Sequence, residues 1–169
     1  MGKVTFLQLW ALLGFLGGTC LAAPMGKEFV TVFMQNYQTS YSVANFQVFI
    51  TGYQASTTVT ITMNKSNFQK VVTVGERSSS IVSIPANAEI PGTSKTCNVI
   101  IIKADKDITV QTMNFKVQSA DTSIVFPTQQ LGTEYYVVTP LEGPPDGFKQ
   151  FSVVSSSEPT NIDIYLKEQ

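Results

Sequence analysis

The strongest constraint on the fold of this chain is the alternation of apolar and polar residues along it. Residues 57–63 read TTVTITM, so Val59, Ile61 and Met63 lie on one face of an extended segment and threonines lie on the other. This period of two predicts a β-strand with one buried face and one wet face. Similar alternation predicts further strands at 28–36, 45–51, 69–74, 79–84, 98–104, 107–117, 122–126, 133–139, 148–154 and 160–166.

The N-terminal residues are typical of a secretory signal peptide. Lys3 precedes an apolar run that is too short to span a bilayer, and small residues follow the run. Cleavage between Ala22 and Ala23 fits the small residues Cys20 and Ala22. We therefore expect residues 1–22 to be removed and the protein to be secreted into the extracellular space.

Composition after the signal peptide favours strands over helices. Only Leu131, Leu141 and Leu166 remain of the leucines, whereas Val, Ile and Thr number 17, 12 and 17 in residues 23–169. These β-branched side chains are stiff in helices and pack well on a pleated sheet. Many short strands separated by turns predict an all-β fold, an antiparallel β-sandwich.

The residue types also exclude several functions. The chain has no histidine, which excludes histidine-activated nucleophiles and imidazole metal sites. Ten basic and twelve acidic residues after residue 22 give no basic footprint for nucleic acid or an anionic membrane. The acidic residues show no spacing that singles out a catalytic pair. We expect no enzymatic activity, no catalytic residues, no metal, no cofactor and no membrane insertion.

Several turns are predicted between the strands, including one near Thr128–Leu131 and one at Asp105-Lys106-Asp107. The two aspartates of the second turn could suggest calcium. Calcium takes about six to eight oxygen ligands, and a lysine between two carboxylates opposes binding. We therefore predict a hairpin turn there.

Two single residues carry separate predictions. Cys97 is the lone cysteine after the signal peptide, so it has no partner for an internal disulfide, and its place before an apolar run predicts a partly buried thiol. Asn64 begins the sequence Asn-Lys-Ser in a predicted turn, which makes it a candidate N-glycosylation site and the chain a candidate glycoprotein.

The end of the chain partly repeats its beginning. Residues 27–32 align with residues 133–138 at an offset of 106, although any two alternating strands look alike. If the repeat is real, a first module covers about residues 27–130 and a partial second module covers about residues 131–169. Otherwise residues 23–169 form one β domain.

The densest motif lies between residues 120 and 140, and shorter stretches support it: Lys27–Thr31 with Gln35-Asn36-Tyr37, Ile84–Ala86 with Glu89, and Ile102–Ile108. Together they resemble the N-terminal domain of the IgGFc-binding protein family, whose members are secreted, mucus-associated proteins. Order and spacing hold from residue 27 to residue 166. The motif residues are Asp121, Thr122, Ser123, Pro127, Gly132, Thr133, Glu134, Tyr135, Tyr136 and Pro140.

This resemblance implies a non-catalytic protein that acts by protein–protein binding in mucus or extracellular matrix. The implied partners are mucins or other mucus components and, by the family's name, the Fc part of immunoglobulin G. In the family the region continues beyond the equivalent of Leu166, so the resemblance indicates a truncated form.

Alternatives remain open from the residues themselves. A carbohydrate-binding adhesion module is the second functional hypothesis. Asp121-Thr122-Ser123 fits either a turn or a polar binding cluster on a loop. Tyr135 and Tyr136 alternate faces in a strand, which predicts that one ring lies in the core.

Overall fold

A computed structural model describes residues 23–36, 43–138, 149–155 and 159–165. The predicted signal peptide at 1–22 and Pro140 lie outside the described residues. Two short 3-10 helices, Ala86–Ala88 and Thr128–Gln130, are the only helices in the described part, and the second confirms the turn predicted there. The strands are β1 (Gly26–Thr31), β2 (Phe33–Met34), β3 (Asn45–Gly52), β4 (Thr57–Met63), β5 (Gln69–Val74), β6 (Ser78–Ile84), β7 (Glu89–Ile90), β8 (Ile100–Lys116) and β9 (Ser119–Val125).

The 17-residue strand β8 organises the main sheet. Its first part pairs with β4 and β1, and its last part pairs with β3 and β9, all antiparallel. Ile102 pairs with β1 on one side and with β4 on the other, whereas Ile108 pairs with β1 and with β3. The strands β3 and β4 therefore follow one another along the same edge of β8. β1 and β9 occupy the other edge, while β5 and β6 extend the sheet beyond β4 and β3. The all-β prediction is confirmed, with β2 and β7 forming a separate parallel pair.

The hairpin turn predicted at residues 105–107 is wrong, because these residues continue β8. Gly26 of β1 pairs with Ile108 of β8, but Glu28, only two residues later, pairs with Lys103. This shift in register marks a β-bulge. Bulges bend strands, and strands that pass a bend can join the two layers of a sandwich. The chain therefore turns a corner here and does not reverse.

Polar contacts hold this corner to the start of β4 and to the connection that precedes it. The backbone N–H of Thr58 donates to Asp105 Oδ1 at 2.9 Å, and Lys106 Nζ donates to the carbonyl oxygen of Ala55. The charged side chains that predicted a turn thus fasten the bend of a continuous strand.

The core lies between the inner faces of the two halves of this sheet. In β4, Val59 and Ile61 are fully buried and Met63 nearly so, which confirms the alternation predicted for TTVTITM. Phe33 and Phe46 stack with their ring centroids 4.5 Å apart. Burial of each such side chain contributes about 1.5–3 kcal/mol. Other fully buried apolar residues are Phe29, Val48, Ile50, Val74, Ile100, Ile102, Ile108 and Val110.

The three strands predicted after residue 131 are not found. The described residues 131–138, 149–155 and 159–165 form no strands, and most of their side chains are exposed. Val138 and Tyr165, for example, are 92% and 90% exposed. Alternation supplies one apolar face, but a strand also needs a neighbouring edge for its backbone hydrogen bonds. The division into a first module and a partial second module stays a prediction.

Candidate functional site

A groove of about 400 Å³ lies beside the β8–β9 pair. Its floor is made by Thr112 and Asn114 of β8 and by Asp121 and Ser123 of β9. These four side chains share one face of the sheet, because Thr112 pairs with Ser123 and Asn114 pairs with Asp121. Two further segments line the groove and form its walls, residues 30–36 and residues 150, 152 and 154.

The floor is polar because the inner face of β8 changes character along the strand. Ile108 and Val110 are fully buried, and Thr112, Asn114 and Lys116 follow them in the same phase. Side chains two residues apart in a strand lie on one face, so the apolar core grades into a polar end. The groove occupies this polar end.

A hydrogen-bonded cluster of three residues supports one wall. Asn36 Nδ2 donates to the carbonyl oxygens of Asn114 at 3.2 Å and Ser119 at 3.3 Å, and Ser119 Oγ donates to Asn36 Oδ1 at 2.5 Å. Asn114 Nδ2 donates to the carbonyl oxygen of Met34 at 2.8 Å. These bonds fix the chain after β2 against the turn between β8 and β9, so this wall is held in place.

A largely buried ion pair lies behind this cluster. Lys116 Nζ is 2.6 Å from Glu89 Oε1, and the two side chains are 6% and 23% exposed. Glu89 Oε1 also accepts the backbone N–H of Asn36 at 3.3 Å. The lysine charge is therefore used within the fold and is not presented to a ligand.

Asp121, unlike Glu89, has an exposed carboxylate. Within the described residues this carboxylate makes no hydrogen bond or ion pair. All three residues of Asp121-Thr122-Ser123 lie in β9, so the predicted turn is wrong, and the alternative polar cluster lies on a strand and not on a loop. The structure brings Asp121 and Ser123 together in the groove, whereas Thr122 points to the opposite face.

This set of groups can bind a ligand through hydrogen bonds and one negative charge. The groove presents one carboxylate with amides and hydroxyls, which suits hydrogen bonding and the attraction of a cation. Within the described residues, no group of three or more acidic or cysteine side chains is placed to hold a metal ion.

The remaining motif residues lie away from the groove. Pro127 is buried, precedes the 3-10 helix Thr128–Gln130 and bridges to Phe29 of β1. The N–H of Gly132 donates to the Tyr135 hydroxyl at 2.9 Å. Thr133 is exposed.

The two tyrosines of the motif are both exposed. Tyr135 is 63% exposed and Tyr136 is 87% exposed, so the prediction that one ring lies in the core is wrong. Tyr136 Oη donates to Glu134 Oε1 at 2.7 Å, and this bond raises the pKa of Tyr136 above its usual value. The tyrosines are surface groups because their segment joins no sheet.

Cys97 and Asn64 both lie on the surface. Cys97 is a free, exposed cysteine before β8, so the predicted partial burial is wrong. Asn64 is exposed in the turn between β4 and β5, where its Oδ1 accepts the N–H of Lys65 at 3.0 Å. Its amide nitrogen, the glycan-bearing atom, makes no hydrogen bond among the described residues. Glycosylation of Asn64 stays a prediction.

Sequence reasoning missed Asn114, Lys116 and Ser119 as members of the site. The signal was present, because Asn114 and Lys116 continue the phase of Ile108 and Val110 in the strand predicted at 107–117. Asn36 and Glu89, by contrast, already belonged to the stretches that supported the family resemblance.

The chain is similar in sequence to known proteins. The profile of the family described as IgGFc binding protein matches residues 121–169, beginning at the groove residue Asp121. The human IgGFc-binding protein is 36% identical over 142 residues, which cover 83% of this chain and 3% of the human protein. The chain thus spans a small part of its relative's length, and no solved structure matches. Over the described residues no helix is both long and apolar enough to cross a membrane. The chain belongs to the IgGFc-binding protein family.

Proposed function

We propose that this chain is a secreted, extracellular domain that works by binding other proteins and carries no catalytic activity. The observation that carries the proposal is the 36% identity, across 83% of the chain, to a human protein named for binding the Fc part of immunoglobulin G. Mucins or other mucus components and immunoglobulin Fc are the proposed partners.

The groove is the proposed contact site for such a partner. Asp121 is the sole charged side chain among the described residues that line it, and no cation of this part of the chain neutralises it. Val30, Val32 and Val154 add apolar surface to the walls. A volume of about 400 Å³ lies within the usual range of ligand pockets. These features suit an extended polypeptide segment that places a Lys or Arg against Asp121.

Binding measurements with purified probes test this proposal. The immobilised secreted chain is exposed to immunoglobulin G Fc fragment and, separately, to purified mucin. For a probe that binds, Asp121→Asn is expected to weaken binding about tenfold, because a charge pair loses one partner. Glu76→Gln removes the same charge from the exposed turn between β5 and β6 and is expected to change nothing. Absence of binding to either probe and to mucus extract would remove the proposal.

A carbohydrate-binding module is the second candidate, and the polar lining of the groove favours it. Carboxylate, amide and hydroxyl groups can all bond to sugar hydroxyls. However, Phe33 is the only aromatic residue among the described lining, and it is 3% exposed, which leaves no ring for a sugar to stack on. Binding on a glycan array that free sugar competes away, with no protein partner, would favour this candidate.

A further inference from the structure

The outer face of the sheet half formed by β6, β3, β8 and β9 is free of charge. Register defines this face, because residues paired across strands point the same way. It comprises three residues of β6, four of β3, four of β8 and three of β9, and none is acidic or basic. They are Ser79, Ile81 and Ser83; Asn45, Gln47, Phe49 and Thr51; Thr109, Gln111, Met113 and Phe115; and Ala120, Thr122 and Ile124.

A row of large, uncharged side chains crosses the middle of this face. Phe49 pairs with Ile81 on one side and with Gln111 on the other, and Gln111 pairs with Ile124. Ile81 and Ile124 are 58% and 52% exposed, and Phe115 nearby is 42% exposed. Large side chains at cross-strand positions form a continuous surface, which on a sheet exposed to water marks an interaction site.

The outer face of the other half provides the contrast. There Lys103 of β8 and Glu28 of β1 form an exposed ion pair at 3.2 Å, beside the threonines of β4. A solvated sheet face ordinarily carries such charges, which also block pairing with another sheet. Their absence from the first face distinguishes it from an ordinary solvated sheet face.

We propose that this uncharged face binds a second copy of the chain, face to face across a twofold axis. An isologous contact places one patch against itself, so any charge near the axis would meet its own copy. A patch without charges avoids this repulsion and is self-complementary. Two sheets packed in this way extend the sandwich by one layer at the usual spacing of about 10 Å.

The size of the face predicts weak association. Four strands about 4.8 Å apart and seven residues at about 3.3 Å give a projected area of roughly 440 Å². Standard interfaces bury about 800 Å² per partner, so this dimer belongs to the weak class. The proposal does not depend on the function of the groove, which lies on the opposite face.

Sedimentation velocity of the secreted chain tests the proposal. With reductant present, so that Cys97 forms no disulfide, the sedimentation coefficient is expected to rise from monomer to dimer between about 1 µM and about 500 µM. Gln111 lies near the centre of the face, and Gln111→Glu and Gln111→Lys each place like charges across the axis. Each variant is expected to stay monomeric, and an equimolar mixture of the two is expected to associate again.

The matched control is Val71→Glu. Val71 lies on the edge strand β5 and is 53% exposed, close to the value for Ile81, but it belongs to the other half of the sheet. It is expected to leave association unchanged, whereas Ile81→Glu abolishes it, with circular dichroism confirming that each variant folds. A wild-type chain that stays monomeric throughout, association that requires oxidised Cys97, or a monomer whose uncharged face binds glycans would each overturn the proposal.

Discussion

Lys116 and Glu89 form an ion pair of 2.6 Å at the inner face of the sheet, with the lysine side chain only 6% exposed. The pair joins the last residue of β8 to the short strand β7, which in turn holds β2. The ion pair therefore helps to hold β2, which belongs to one wall of the groove. Disturbing the pair is expected to disturb the wall.

Replacing Lys116 by Met leaves the Glu89 carboxylate half-buried without its cation. Removing one member of a buried pair typically costs 3–5 kcal/mol, and because Glu89 keeps some exposure we expect the free energy of unfolding to fall by about 3 kcal/mol. Urea denaturation measures the loss. The double variant Lys116→Met/Glu89→Gln removes both charges and is expected to recover part of it, and equal losses in the single and double variants would contradict this account.

Gly52 ends β3 at the corner of the sheet, and a Cβ atom there would lie 2.8 Å from the carbonyl oxygen of Gly75. Backbone atoms cannot move aside cheaply, so Gly52→Ala is expected to lower the unfolding free energy by about 2 kcal/mol. Gly132→Ala is the control, since the nearest atom to its new Cβ would be 4.0 Å away. Thermal unfolding compares the two, and equal midpoints would show that the corner is not tightly packed.

Ile102 lies at the centre of the core, facing Phe29 on one strand and Ile61 on another. Its side chain is fully buried, so Ile102→Ala is expected to cost about 3–4 kcal/mol through lost burial and the cavity left behind. Ile81→Ala, at a site 58% exposed, is expected to cost less than about 1 kcal/mol. Denaturation at low protein concentration keeps self-association out of the comparison. Similar costs at both sites would place the core elsewhere.

The hydroxyl of Tyr136 is expected to titrate above the usual value of 10.0, because the proton it shares with Glu134 must be lost and the tyrosinate would face a carboxylate. Glu134→Gln removes that negative charge, so the pKa of Tyr136 is expected to fall. Ultraviolet difference titration follows the change, with Tyr136→Phe identifying the signal. An unchanged titration in Glu134→Gln would show that the hydrogen bond does not form in solution.

Sequence alone predicted the strands of the compact part closely. The segments 57–63 and 69–74 coincide with β4 and β5, since β-branched residues dominate both segments and turn residues separate them. The bend at residues 105–107 escaped prediction for a physical reason. A polar Asp-Lys-Asp run suits a hairpin turn as well as a corner, and only the end-to-end placement of β3 and β4 decides between them.

The structure of the segments after residue 131 and the layout of the candidate site were not predicted from the sequence. Alternation at 133–138 describes side chains only, whereas strand formation depends on a partner edge that one sequence does not reveal. For the site, Asp121 and Ser123 were identified through family motifs, but their joint placement with Asn114 follows from the register of β8 with β9. That register is a tertiary property.

The most direct test of the central claim is amide hydrogen exchange of the secreted chain, alone and with bound Fc fragment or mucin. We expect slower exchange in residues 30–36 and in Asp121–Ser123 when the probe binds, and less slowing in Asp121→Asn at the same probe concentration. A probe that binds the wild-type chain while exchange in both segments stays unchanged would contradict the account.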